Sequence, residues 1–339
     1  MANKNDDQKI NVKNVKNVLV DRGEYKLNIK YELFQTNNDS NMKPINILIM
    51  NGGQSGRNES RVSAIKFLQE INKRNLSIPF NIMLIDRRNM GTSDICYKGN
   101  EPLPVEEAND IHVAINKLKL TPIILVGCSS GSRTAIVLTK KHPNDVCGLI
   151  LAPPTGSVPT SPLPAAGGSL NYLKQAYYGR NLTVSKTDGG MINVVNLMTT
   201  FRGREIPAHY NRMSRRSPLA KEQLLETNLI EFQQCMEGAM DWLESFKHDQ
   251  IAGITDEEIK QIKQPTLIVH HGDLKDQLHT VLASETAAKL FPNAEPLLID
   301  ETFPAQPLPP TDVGMEKYVD FICNKCHDTQ IRSNNRSKM

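Results

Sequence analysis

The chain has 339 residues, enough for one large α/β domain or a core carrying an inserted section. Hydrophobic residues make up 39% and charged residues 23%, so a sizeable core and a soluble surface are both accounted for. A net charge of +3 is too small to argue for nucleic-acid or membrane-surface binding, and no apolar run approaches the roughly 18 residues of a spanning helix.

The N-terminal segment Met1-Ala2-Asn3-Lys4-Asn5-Asp6-Asp7 is polar and lacks the apolar stretch of a secretory leader. Six cysteines, at 96, 128, 147, 235, 323 and 326, are scattered without a framework. Reduced thiols and a cytoplasmic location are the expectation. Residues 1–15 are expected to form a mobile polar tail, and residues 327–339 a polar C-terminal tail.

Residues 24–34 alternate Tyr25, Leu27, Ile29, Tyr31 and Leu33, the pattern of a half-buried strand. Ile45–Met50 is a short buried strand broken by Asn51-Gly52-Gly53. A helix over 59–74 follows, then a strand over 80–85, then an amphipathic helix over 105–119. The apolar run 123–127, a helix over 132–141 and a strand over 146–151 complete the first half. Strands and helices alternating at this length imply a mostly parallel sheet with helices on both faces.

From Pro153 to Pro164 the composition shifts to Pro, Gly, Ser and Thr, a linker signature. The section 153–252 carries helix-like pieces and no strong strand, so it reads as an inserted helical lid. The alternation resumes with a strand at 265–270, a helix near 280–291, a strand at 295–299 and a final helix near 312–325. The core is therefore expected to comprise 16–152 and 253–326.

The chemistry is concentrated in Gly127-Cys128-Ser129-Ser130-Gly131, which joins an apolar strand to a helix. Gly-x-Ser-x-Gly in that context is a nucleophile elbow. The tight turn holds Ser129 in a strained conformation that small neighbours permit. It lifts the hydroxyl over the sheet and aims backbone N–H groups at whatever the serine attacks.

His279 follows Asp276 by three residues where loop becomes helix, on the elbow side of the sheet, and could serve as base or be a surface residue. His270 and His271 end a strand and read as structural. His112, His142, His209 and His248 show no metal-ligand spacing, and His142-Pro143 reads as a helix end. Cys323-Asn324-Lys325-Cys326-His327 matches a haem-attachment pattern, but it ends a terminal helix in a chain without an export signal, so coincidence is the better explanation. Arg133 and Arg88 could each pair with a substrate carboxylate, or pin loops through ion pairs with Asp86 or Asp94. Phe303, in the Pro-rich stretch 303–310, is a candidate pocket wall.

Four segments together resemble the α/β-hydrolase superfamily over roughly residues 20–325: Asn51-Gly52-Gly53-Gln54-Ser55-Gly56, Asp86 to Asp94, the elbow, and Pro265 to Asp276. The resemblance implies Ser129 as nucleophile, with oxyanion donors from the backbone of Ser130 and of Gly53 or Gln54. It implies Asp276 as the acid, with Asp273 as rival. The family's histidine after the last strand has no counterpart in Ile299–Pro307, which leaves His279 for that role. The implied function is a cofactor-free, metal-free serine hydrolase of a small organic ester, thioester or activated carbonyl compound. A catalytically silent ligand receptor or scaffold, and a lyase or isomerase in the same pocket, are the alternatives. A small-molecule substrate is expected, with no nucleic-acid or membrane partner; oligomeric state is unreadable.

Overall fold

A computed structural model describes residues 10–12, 15–36, 42–53, 56–74, 76, 78–154, 172–200, 218–251, 253–271, 279, 281–299, 306–309 and 311–326. Among the described residues nine strands form one sheet: β1 (Ile10–Val12), β2 (Lys16–Asp21), β3 (Lys26–Thr36), β4 (Ile45–Met50), β5 (Phe80–Ile85), β6 (Ile123–Ser129), β7 (Val146–Pro154), β8 (Thr266–His271) and β9 (Ala294–Ile299). Their order is β1-β3-β5-β4-β6-β7-β8-β9, with β2 also paired to β3. The pairs β4–β5, β4–β6, β6–β7, β7–β8 and β8–β9 are parallel. The three strands at the N-terminal edge are antiparallel. Residues 10–12 lie within the expected tail, yet they pair with β3 from Ile10 opposite Thr36 to Val12 opposite Phe34.

β4 and β5 are buried at every position because both faces are covered, and the two asparagines among their otherwise apolar residues, Asn46 and Asn81, bond each other at 2.9 Å. Along β4, Leu48 and Met50 enter one core while Ile45, Ile47 and Ile49 enter the other. Along β6, Ile123 and Leu125 alternate in the same way with Ile124 and Val126. The first core is closed by α2 (Leu103–Lys117) and α3 (Ser130–Lys141), the second by α1 (Arg61–Lys73) and a C-terminal helix.

Between β7 and β8 most of the described residues as far as Ser245 are helical. A π-helical turn (Tyr172–Gly179) leads into α4 (Arg180–Ser185), α5 (Gly190–Thr200), α6 (Pro218–Leu225) and α7 (Leu229–Ser245). They share a third core, with Tyr178, Val194, Val195, Phe232, Met236 and Leu243 buried together. Tyr97 from the segment before α2 and Leu103, the first residue of α2, join it, which seats the section on the sheet domain. Then come α8 (Asp256–Ile259), α9 (Val281–Leu290) and α10 (Asp312–Phe321). A π-helical turn, Ile322–Cys326, continues α10 and presses Cys326 onto Gly148 of β7. Cys326 is fully buried in the second core, so this thiol is packing rather than an attachment point. Among the described residues no helix is long and apolar enough to cross a membrane.

Candidate active site

Ser129 sits between β6 and α3 with φ +52° and ψ −116°, a conformation L-residues rarely hold. The flanking glycines explain how the chain reaches it. A side chain at Gly131 would drive into the carbonyls of Met50 and Asn51, and one at Gly127 into the backbone of Gly131 and Ser132. Gly52 faces the serine itself: a Cβ there would lie 2.7 Å from the Ser129 Cβ. The loop after β4 and the elbow thus meet backbone to backbone. Ser129 and Ser130 are partly exposed, while the strand beneath them is buried. Ser130 opens α3, where unpaired backbone N–H groups favour negative charge.

The loop after β4 is tied at several points. Asn51, buried, donates to the Gly56 carbonyl at 2.7 Å and accepts from the Ser60 hydroxyl. Gly53 takes φ +53°, and its carbonyl accepts from Ser130 Oγ at 3.2 Å. Arg87 does most of the fastening. Its guanidinium, 2% exposed, donates to Asn51 O at 2.9 Å, Gly53 O at 3.2 Å and Ser130 Oγ at 2.8 Å. The same group reaches Glu107 Oε2 of α2 at 2.6 Å and Thr134 Oγ1 of α3 at 3.1 Å. One buried cation therefore joins the loop, the elbow helix and α2. Sequence reasoning missed Arg87. Its signal was the doubled arginine in Asp86-Arg87-Arg88, where only the second was weighed.

Arg88 turns the other way. It is 1% exposed and grips Asp110 with Nε to Oδ2 at 2.5 Å and Nη2 to Oδ1 at 2.8 Å. It also donates to the Lys98 carbonyl at 2.8 Å and to Tyr25 Oη, and that hydroxyl donates to Glu106. This is the loop-pinning role, played with Asp110 rather than Asp86 or Asp94. Burial pushes the Asp110 carboxyl above the usual carboxylate range, against the pull of Arg88. Asp86 is also structural. It accepts from the backbone N–H of Arg57 at 2.5 Å and of Thr92 at 3.0 Å, and pairs with the Arg57 guanidinium. A Cβ on Gly91 would strike that carboxylate, so the close turn requires glycine.

Arg133 is 3% exposed, with its stem against Gly253, and burial lowers its pKa from the usual guanidinium range. His279 is 5% exposed and lies two residues before the first residue of α9. His270 Nδ1 lies 3.3 Å from the Ser284 hydroxyl of α9, in keeping with a structural role. Gln54, Asp273, Asp276 and Phe303 lie outside the described residues. The structure thus brings together Ser129, Ser130, Gly53 and, unanticipated, Arg87.

Solved structures of the same architecture are numerous. A putative lipase from Acinetobacter baumannii aligns over 91% of this chain and 91% of its own, at 17% identity and a TM-score of 0.55. A thermophilic esterase from Thermogutta terrifontis aligns over 95% of this chain and 98% of its own, at 18% identity and a TM-score of 0.51. At these identities the likeness is one of fold. No curated protein sequence matches the chain. The model of the alpha/beta hydrolase fold family matches residues 46–304, and with the elbow and sheet order above, the chain belongs to that family.

Proposed function

We propose that the chain is a cofactor-independent serine hydrolase of a small organic ester, thioester or activated carbonyl compound, with Ser129 as nucleophile. The observation that carries this is the φ +52°, ψ −116° backbone of Ser129, partly exposed and faced by Gly52. A non-glycine residue in such a region costs on the order of 1–3 kcal/mol and persists where surrounding packing enforces it. In this reading the Ser129 hydroxyl attacks the acyl carbon as His279 takes its proton, with Asp276 (or its rival Asp273) orienting the imidazole. The resulting oxyanion is met by the backbone N–H of Ser130 and that of Gly53 or Gln54. Collapse returns the proton to the leaving alcohol or thiol, and water then releases the acyl group.

Arg87 supports the reading because it holds both Asn51 and Gly53 in place beside the elbow. The helical section 153–252 serves as a lid, Arg133 contributes to the pocket floor beneath it, and Phe303 to its wall. A cytoplasmic protein with reduced thiols fits the composition.

Hydrolysis of p-nitrophenyl esters of increasing acyl length tests this. Turnover should vanish in Ser129→Ala and fall steeply in His279→Ala and Asp276→Ala. Turnover unchanged in Ser129→Ala would remove the serine from the chemistry. The absence of histidine from residues 300–310 favours a second reading, a lyase or isomerase that uses the oxyanion donors without a full triad. Under it, ester turnover is absent and a bound carbonyl compound exchanges its α-proton with solvent.

A further inference from the structure

At the end of the strands opposite Ser129, the far ends of α2 and α3 meet the turn that enters β7. His112 projects from α2, His142 caps the end of α3, and Asp145 immediately precedes β7. Main-chain hydrogen bonds hold the corner: His142 N–H to Leu138 O at 2.9 Å, Asp145 N–H to His142 O at 3.0 Å, and Ile123 N–H to Asp145 O at 2.9 Å. His112 Nε2 lies 2.9 Å from Asp145 Oδ2, and the two imidazoles stack with centroids 3.4 Å apart and planes 8° from parallel. One donor atom from each of the three residues lies within 4.8 Å of the other two, and all three side chains are partly exposed. No spacing in the chain announces this group; it exists because two helices end side by side.

We propose that His112, His142 and Asp145 form a binding site for a divalent transition cation of the zinc type, separate from the serine centre and independent of the reaction assigned to it. The donor set selects the class. Two imidazoles and one carboxylate suit zinc, nickel or copper, whereas calcium and magnesium prefer shells built from oxygen. Zinc bonds of about 2.0–2.1 Å place tetrahedral donor atoms roughly 3.3–3.4 Å apart. The His112–Asp145 pair at 2.9 Å is already near that separation. The widest pair, no more than 4.8 Å apart, closes by at most about 1.4 Å, a movement that partly exposed side chains make by rotating about χ1 and χ2 as the rings tilt out of their stack. Three protein ligands leave the fourth position to water.

The surrounding groups bear on strength. The Asn116 side-chain nitrogen lies 2.8 Å from His112 Nε2 and must yield that atom to the ion. Lys141 adjoins His142 and opposes a cation, while Asp145 offsets it. An ion there would tie α2 to α3 at one end, while their other halves carry Glu107 and Ser130 beside the serine.

The test is calorimetric titration of the metal-free full chain with Zn²⁺ in excess Mg²⁺, for wild type, His112→Gln, His142→Gln and Asp145→Asn. One saturable equivalent is expected, weakened in each variant by at least about 10- to 100-fold, the range that even an outer-shell partner commands. Zinc X-ray absorption on the wild-type complex provides a readout that needs no variant: nitrogen and oxygen neighbours with imidazole scattering are expected. The proposal is overturned by three results: no saturable binding, binding unchanged in the variants, or sulfur neighbours that place the ion on the cysteines.

Discussion

Replacing Arg87 with methionine keeps a buried stem and deletes the guanidinium that joins three elements. The loss is twofold. Glu107, its side chain 6% exposed, keeps its contact with the Thr134 hydroxyl at 3.0 Å but loses its counter-ion at 2.6 Å. Breaking a buried pair in this way costs about 3–5 kcal/mol, because the remaining charge stays out of water. The second loss is local: the carbonyls of Asn51 and Gly53 lose their donor, so the loop facing Ser129 drifts. If that loop supplies one oxyanion donor, misplacing it should lower reactivity by about 100- to 1000-fold. The two losses separate in a cycle with Glu107→Gln. The double variant should recover part of the stability, with a coupling of roughly 0.5–3 kcal/mol, yet keep the kinetic defect. Urea unfolding of the four proteins gives the first quantity, and the rate of fluorophosphonate acylation gives the second. Arg87→Met reacting at the wild-type rate would refute the positioning role. So would full kinetic rescue by Glu107→Gln, since the effect would then run through charge alone.

Three further outcomes follow from the same contacts. Ser129→Gly removes the strained non-glycine residue and should raise unfolding free energy by about 1 kcal/mol while abolishing acylation; equal or lower stability in urea would show that the turn is unstrained. Arg88→Met should destabilise by about 3–5 kcal/mol, because Asp110 keeps only its 3.8 Å contact with Arg22, and leave the KM for anionic and neutral esters in the same ratio; a selective rise for anionic esters would place Arg88 in the pocket. Burial pushes the Cys147 thiol up to about 12, so at pH 8 it is almost wholly protonated in the fold and reacts only on unfolding. Iodoacetamide mapping across pH 7–9 should leave Cys147 unmodified in native protein, and its native modification at pH 8 would contradict that burial.

The strands from Ile45 onward were legible because their apolar runs are continuous, and the elbow because its glycines leave no room for any other residue. The N-terminal edge was less so: Ile10–Val12 has only three residues and Lys16–Asp21 is apolar only over its middle three, and their pairing with β3 is written in register rather than composition. Arg87 and Arg88 are adjacent and chemically identical, so no local pattern tells which one the loop after β4 claims; the partners, Glu107 and Asp110, lie about 20 residues away on one helix. The pairing of His112 with His142 has the same character, since it depends on where two helices stop.

The proposed chemistry rests on one hydroxyl, that of Ser129. Mass-spectrometric mapping of the chain after brief exposure to a fluorophosphonate measures it directly. A single adduct on Ser129, absent in Ser129→Ala and slowed in Arg87→Met, is the expected result. An intact mass unchanged after prolonged exposure, or an adduct on another residue, would contradict the account.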